Sequence, residues 1–423
     1  MSAVDPRLLP ETAVVSPDGA LSIGGVAVSE LAARFGTPLF VYDEKHLRNR
    51  CRQAVAEFGE DGVVYATKAF LCGAMARLAH EEGLLLDVAT GGELFAATAA
   101  GVPAGRCVLH GNNKSTDELR LAITSGVNHI IVDSFDELDR LDALHAEGLP
   151  VPHVQLRITP GVHAHTHEFV STGQDDSKFG FNLANGDAMR AIERAKSSSS
   201  VVLTGIHCHI GSNVLDASLF AKASEVMVDL FRGLDLPELT LGGGLGVAYT
   251  AGDAAPTMRE WADAVRSATA SLPKGTKVRV EPGRSIVATA AVTVYTVGTV
   301  KRIEGIRDYI AVDGGMSDNP RPMMYGSPYE AFDPSRVPAD RPAHARIVGK
   351  HCESGDIVID DAAVPENVAV GDLLVTPVTG AYGYSMASNY NKVPRPAVVF
   401  VADGAARLVV RRETYEDLVR YDL

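Results

Sequence analysis

RCVLHGNNKSTDELRLAITSGVNHIIVDSFDELDRLDALHAEG, residues 106–148, carries one pattern twice. A short apolar run (Arg106–His110, then His129–Asp133) is followed by a polar turn and an amphipathic helical stretch. Ser115 and Ser134 stand where helix N-caps are preferred, and Gly126 and Gly148 where helices stop. The pattern continues outward in both directions. Upstream lie the runs Val63–Lys68 and Leu84–Ala89; downstream lie His153–Thr159, Val201–His207, Glu238–Leu241 and Lys277–Glu281. Helical patterns such as CGAMARLAHEEG, DASLFAKASEVMVDLF and TMREWADAVRSATASL separate them. Eight strands alternating with helices over about 220 residues predict an α/β fold built on a (β/α)8 TIM barrel. The rival, a doubly wound open sheet, usually has fewer strands and needs a nucleotide fingerprint at its first turn.

The flanks change character. Before the barrel come LSIGGVAV and TPLFVYD, and after Arg284 come AAVTVYTVGTV, YIAVDGG, ARIVGK, DIVI, DLLVTPV and PAVVFVADGAARLVVRR, the last with an Asp-Gly hairpin turn. The expected organisation is a barrel over 44–289 and a β-rich second domain formed by both chain ends, 1–43 and 290–423. The 39 Lys+Arg against 53 Asp+Glu give a net charge of −14, which disfavours a nucleic-acid or anionic-membrane binder. No apolar run approaches the roughly 20 residues that span a bilayer, and the start lacks the features of a secretory signal. Cys51, Cys72, Cys107, Cys208 and Cys352 are odd in number, scattered and without a C-x-x-C pair. That pattern predicts a reducing, cytoplasmic setting with no disulfide framework.

Polar and glycine-rich motifs gather at the C-terminal ends of the predicted strands, the rim where barrels of this kind build active sites. Lys68 ends the first strand, Asp87 the second, and His110-Gly-Asn-Asn-Lys the third. Arg157 lies in the fifth, His207-Cys-His-Ile-Gly-Ser ends the sixth, Gly242-Gly-Gly-Leu-Gly the seventh, and Glu281-Pro-Gly-Arg the eighth. Taken singly, Lys68 reads as a snorkelling strand-end lysine or as an amine of lowered pKa able to form a Schiff base. Gly242–Gly246 reads as a tight turn, or as backbone open to a phosphate with Ser212 adding a hydroxyl. Glu281 reads as an ion-pair partner of Arg284 or a neighbour, or as a buried carboxylate that keeps a pyridine nitrogen protonated. His207 with His209, and His163, His165 and His167, form H-x-H patterns that alternation places on one face, so a metallohydrolase is the rival enzyme class. A metal site would leave the lysine, glycine and EPGR motifs idle; the expectation is no metal, with His209 stacked on a cofactor ring and His207 a core histidine. Cys352, between His351 and Glu353, has a setting in which a thiol could move a proton. The other four cysteines read as small buried hydrophobes.

The motifs YATKAF, LDVATGGEL, HGNNKS, HTHEFVSTGQDDSKFGF, GIHCHIGSN, GGGLG, EPGR, DGGMSDNPRPMMYG, GKHCESGD and TGAYGYSMASNYNKVPRPA follow one another along nearly the whole chain. In that order they resemble the alanine-racemase-like, fold-type III pyridoxal phosphate family, which includes ornithine and arginine decarboxylases. GNNKS, HTHEF, CESGD and GAYGYSMASNYN are most similar to its diaminopimelate-decarboxylating branch. The resemblance implies pyridoxal 5'-phosphate held by Lys68, with His209 stacked on the ring and Glu281 at the pyridine nitrogen. Ser212, Gly244 and the EPGR turn (Gly283, Arg284) would take the phosphate, helped by Tyr382. Arg284, Arg321, Tyr325, Glu353 and Tyr382 would bind substrate. Cys352, from the partner subunit of a homodimer with shared active sites, would be the proton donor. The implied reaction is decarboxylation of meso-2,6-diaminopimelate to L-lysine and carbon dioxide. The alternative is a sister enzyme acting on ornithine, arginine, lysine or a carboxylated polyamine. Neither the motifs nor the resemblance assigns a role to Asp87, Asn112 or His163–His167.

Overall fold

In the computed structural model of the chain, residues 4–162 and 176–423 are described, so His163, His165 and His167 lie outside the described residues. Two compact units emerge. One comprises 51–246 and 255–285, the other 1–50, 247–254 and 286–423.

The first unit is the barrel. Its strands are β1 (Val64–Ala66), β2 (Leu85–Val88), β3 (Cys107–Leu109), β4 (His129–Val132), β5 (His153–Thr159), β6 (Val202–His207), β7 (Glu238–Thr240) and β8 (Lys277–Arg279). Each pairs in parallel with its neighbour in chain order. A parallel bridge between Val63 and Val280 joins the last strand to the first, with Val64 N–H donating to Val280 O at 2.9 Å. Closure leaves no open edge in the ring. Val64, Leu85, Val108 and Ile131, one from each of four adjacent strands, form a buried apolar cluster.

The helices between strands start and stop where their end chemistry dictates. Thr116–Ser125 opens on a reciprocal Ser115–Glu118 capping box and closes on Gly126 in the left-handed region. Met258–Thr269 opens on a Thr257–Glu260 box, and Ala217–Phe231 on Asp216. Each such cap contributes about 1 kcal/mol by satisfying a backbone N–H that the helix leaves unpaired.

The second unit is built on a mixed sheet. Its order is Ile357–Val364, Ala343–Val348, Arg307–Val312, Ala291–Ile303, Leu39–Asp43, Ala397–Ala402, Ala405–Val410, with Leu373–Pro377 also paired to Ala291–Ile303. Leu39–Asp43 lies between strands from the far end of the chain, antiparallel to one and parallel to the other, so both chain ends share one sheet. Val41, Val292, Val294, Val375, Val399 and Val401 bury their side chains in its core. The Asp403–Gly404 turn has φ of 50° and 76°, the positive pair that a two-residue hairpin loop requires. No described helix is long and apolar enough to cross a membrane.

Candidate active site

The barrel rim collects its polar side chains in one connected series. Lys68 sits in the turn Thr67–Ala69 that follows β1, and Thr67 Oγ1 fixes that turn by donating to Asp87 O at 2.6 Å. Lys68 Nζ is 3.1 Å from Asp87 Oδ2. Asp87 Oδ1 is 3.8 Å from His110 Nε2, which in turn is 3.2 Å from Glu281 Oε1. His207 Nε2 lies 2.9 Å from Glu281 Oε2. Glu281, His110, His207 and Asp87 are all buried, whereas Lys68 remains accessible.

Burial alone would push Glu281 toward its neutral form. The imidazoles of His207 and His110 reverse that and hold the carboxyl well below its ordinary range. Burial lowers His207 as well, against the pull of Glu281, which fits a neutral ring donating its Nε2 proton to the carboxylate. The pairing with Arg284 allowed by the sequence is replaced by this double imidazole contact, while Arg284 Nη2 donates to Ser212 Oγ at 2.9 Å.

The H-x-H alternation does not hold in space. Strand β6 ends at His207, and the chain turns before His209. His209 Nδ1 accepts the Gly243 N–H at 3.2 Å while His207 reaches Glu281. Burial, then the charges of Lys68 and Arg157, keep His209 well below the ordinary histidine value, so its imidazole is neutral and carries its proton on Nε2. His110, His207 and Glu281 bring ligand atoms within 4.8 Å of one another, a spacing that could also hold a cation.

The loops after β6, β7 and β8 stack backbone on backbone, which explains the glycines. A Cβ on Gly243 would lie 1.9 Å from Glu281 O, and one on Gly244 (φ 113°) 2.2 Å from Gly211 O. No side chain fits there. Val214 N–H donates to Gly244 O at 2.8 Å and Gly246 N–H to Val214 O at 3.0 Å. Together with the Arg284–Ser212 bond, this packing brings Ser212, Gly244 and Arg284 into one corner.

Of the residues singled out in the sequence, Lys68, His209, Ser212, Gly244, Glu281, Gly283 and Arg284 belong to the barrel unit. Arg321, Tyr325, Cys352, Glu353 and Tyr382 belong to the β unit. Arg321 and Tyr325 begin and end the short helix Arg321–Tyr325. Arg321 is buried, its guanidinium 4.1 Å from the centre of the Tyr249 ring, with Nη1 bonded to the Tyr329 hydroxyl. Its Nε finds no acceptor, and no described carboxylate pairs with it. Tyr382 holds φ of 59°, a left-handed conformation that costs a bulky side chain energy and recurs at binding sites. Cys352 and Glu353 are exposed on the chain.

The sequence alone assigns no role to Asp87, which lies against Lys68, nor to His110. Its signal was present, a histidine at the third strand end among six other rim motifs, but its partner Glu281 lies five strands later. Lys114 of the same motif is buried, donating to Gly111 O (2.7 Å), Ile131 O (2.6 Å) and Glu137 Oε2 (3.1 Å). It thereby anchors the loop that follows His110.

Residues 44–288 match the family model described as "Pyridoxal-dependent decarboxylase, pyridoxal binding domain". The chain is 48% identical to the diaminopimelate decarboxylase of Bacillus subtilis (strain 168), over 96% of this chain and 95% of that one. It is 46% identical to that of Mycobacterium tuberculosis (strain ATCC 25618 / H37Rv), over 99% and 98%. Among solved structures, diaminopimelate decarboxylase from M. jannaschii in co-complex with L-lysine superimposes with a TM-score of 0.90 at 33% identity, covering 98% of each chain. The chain belongs to the pyridoxal-dependent decarboxylases, and within them to the diaminopimelate decarboxylase family.

Proposed function

We propose that this chain decarboxylates meso-2,6-diaminopimelate to L-lysine and carbon dioxide, using pyridoxal 5'-phosphate. The reading rests on Glu281. Its carboxylate is buried and held ionised, and its Oε1, although at ion-pair distance from His110, accepts no aligned hydrogen bond. A buried anion with a free acceptor position fits a protonated pyridine nitrogen. The glycine corner with Ser212 and Arg284 fits a phosphate, and the accessible amine of Lys68 fits the aldehyde.

When bound, the cofactor supplies an electron sink next to the bond that breaks. Glu281 keeps the ring nitrogen protonated, and His207 and His110 keep Glu281 ionised. Asp87 accepts a hydrogen bond from Lys68 Nζ at 3.1 Å and would orient that amine toward the cofactor's aldehyde. His209, neutral and fixed by Gly243, offers a flat face without adding charge. Cys352 Sγ would supply a proton to the substrate carbon that loses its carboxylate, and Lys68 would hold the cofactor's aldehyde.

The substrate class follows from Arg321. A buried guanidinium that no described carboxylate meets costs several kcal/mol unless an anion is supplied, and a ligand can supply it. The distal carboxylate of diaminopimelate does so, with Glu353 as partner for its ammonium. Ornithine and lysine, lacking that carboxylate, leave the cation unpaired.

The active form is a homodimer in which Cys352 and Glu353, exposed on the single chain, enter the partner's site; five scattered cysteines without a C-x-x-C pair support a cytoplasmic setting. The test is carbon dioxide release by purified, cofactor-loaded protein offered meso-diaminopimelate, ornithine, arginine and lysine in parallel. Release from diaminopimelate alone, with equimolar lysine, is the expected result. Release only from another of these amino acids would move the chain to the sister enzymes.

A further inference from the structure

The thiol of Cys352 must be presented at a fixed place to deliver a proton, yet it sits exposed on a loop. Gly349–Asp356 joins the antiparallel strands Ala343–Val348 and Ile357–Val364, and the loop closes at its base through Gly349 N–H to Asp356 O at 2.9 Å. Asp356 itself is buried, because its side chain folds back beneath its own loop.

The two carboxylate oxygens take two backbone donors from different loops. Oδ2 accepts the His351 N–H at 2.8 Å, one residue before Cys352. Oδ1 accepts the Met316 N–H at 2.6 Å, in the segment that leads into Arg321. Space for the carboxylate is reserved by glycine on both sides. A Cβ on Gly349 would lie 2.2 Å from Oδ2, and one on Gly315 2.5 Å from Oδ1. Further ties join the same segments: Lys350 N–H to Gly314 O (3.0 Å) and His351 Nε2 to Ser317 Oγ (2.8 Å). On the far side, Cys352 N–H donates to Asn391 Oδ1 at 3.0 Å.

We propose that Asp356 is a positioning residue for the reaction: its carboxylate clamps the proton-donor loop to the loop that carries Arg321, and so sets where the Cys352 thiol stands. The inference rests on the reading of Cys352 as the donor. The geometry demands an aspartate. Two N–H donors need two acceptor oxygens, and asparagine offers one oxygen and an amide that faces the second N–H. Glutamate is a methylene longer than the pocket between Gly315 and Gly349 admits.

The test compares Asp356→Asn, Gly349→Ala and Cys352→Ala with the wild-type holoenzyme. Asp356→Asn is expected to lower kcat at least tenfold, with KM for diaminopimelate rising by a smaller factor. Cofactor affinity and absorbance, set by barrel residues, should stay at wild-type values. Gly349→Ala, whose new Cβ displaces an intact carboxylate, should give the same split. Hydrogen exchange adds a readout that needs no variant: the amides of Met316 and His351 should exchange slowly in the wild type and faster in Asp356→Asn. Wild-type kcat in Asp356→Asn alongside an impaired Cys352→Ala, or unprotected Met316 and His351 amides in the wild type, would overturn the proposal. Near-normal lysine production by Cys352→Ala would remove the donor reading, and the clamp's purpose with it.

Discussion

Glu281→Gln isolates charge from shape at the centre of the barrel site. The side chain keeps its size, so no cavity opens, and the surroundings can accept an amide. His207 Nδ1 is buried with no partner among the described residues. The ring proton can therefore move from Nε2 to Nδ1, leaving Nε2 to accept from the new amide at a contact now 2.9 Å long. The fold should barely register the change. Chemistry should. An ionised acceptor facing a protonated ring nitrogen becomes a neutral one, which forfeits about 2–3 kcal/mol of charge-assisted hydrogen bonding. Because the ring carries most charge while the carbon dioxide leaves, that loss falls on the rate and corresponds to roughly a 30- to 150-fold drop in kcat. Steady-state carbon dioxide release at saturating cofactor measures it, with thermal unfolding recorded alongside. A fully loaded Glu281→Gln enzyme turning over within about threefold of wild type would mean that the buried carboxylate is structural and does not act on the ring nitrogen.

Other perturbations separate the remaining roles. Arg321→Met keeps side-chain length and removes the buried cation; KM for diaminopimelate should rise about 100-fold, for about 3 kcal/mol. An unchanged KM would place the distal carboxylate elsewhere. Mixing Lys68→Ala with Cys352→Ala subunits, each nearly inactive, should recover activity through hybrid dimers. No recovery, with subunit exchange shown independently, would argue against a shared site. At the opposite end of the strands, Glu238 touches His129 (3.0 Å) and Arg279 (3.1 Å). Burial opposes its ionisation, but these partners hold its carboxyl down to about 2. A carboxyl lowered on folding stabilises above its unfolded pKa, and that stability disappears as pH falls from about 4.5 toward 2, an amount of about 3 kcal/mol. Glu238→Gln should therefore lower Tm at neutral pH and flatten its decline between pH 5 and 3. An unaltered acid profile would discount the cluster.

The barrel was legible because each β/α repeat is short and carries its own instructions. Strand runs are apolar and bounded by turns, and Ser115, Asp216 and Thr257 cap helices through contacts within three residues. Lys68 and Glu281 could be noticed for the same reason, as lone charges ending apolar strands. Local pattern alone therefore sufficed for the alternation, the eight-stranded barrel and the β-rich domain that both chain ends build. How the rim residues act on one another depends on segments that meet only in the folded chain. Strand periodicity put His207 and His209 on one face, yet the chain leaves the strand between them, so one holds Glu281 and the other Gly243. His110, Asp87 and Asp356 gain their meaning from partners on other strands or loops, and Arg321 from the aromatic rings that bury it with no counter-ion among the described residues. Helix caps and apolar alternation are local forces, readable over a few residues. The ionisation of Glu281 and the clamp at Asp356 arise where distant segments exclude water together, and that exclusion exists only once the chain has folded.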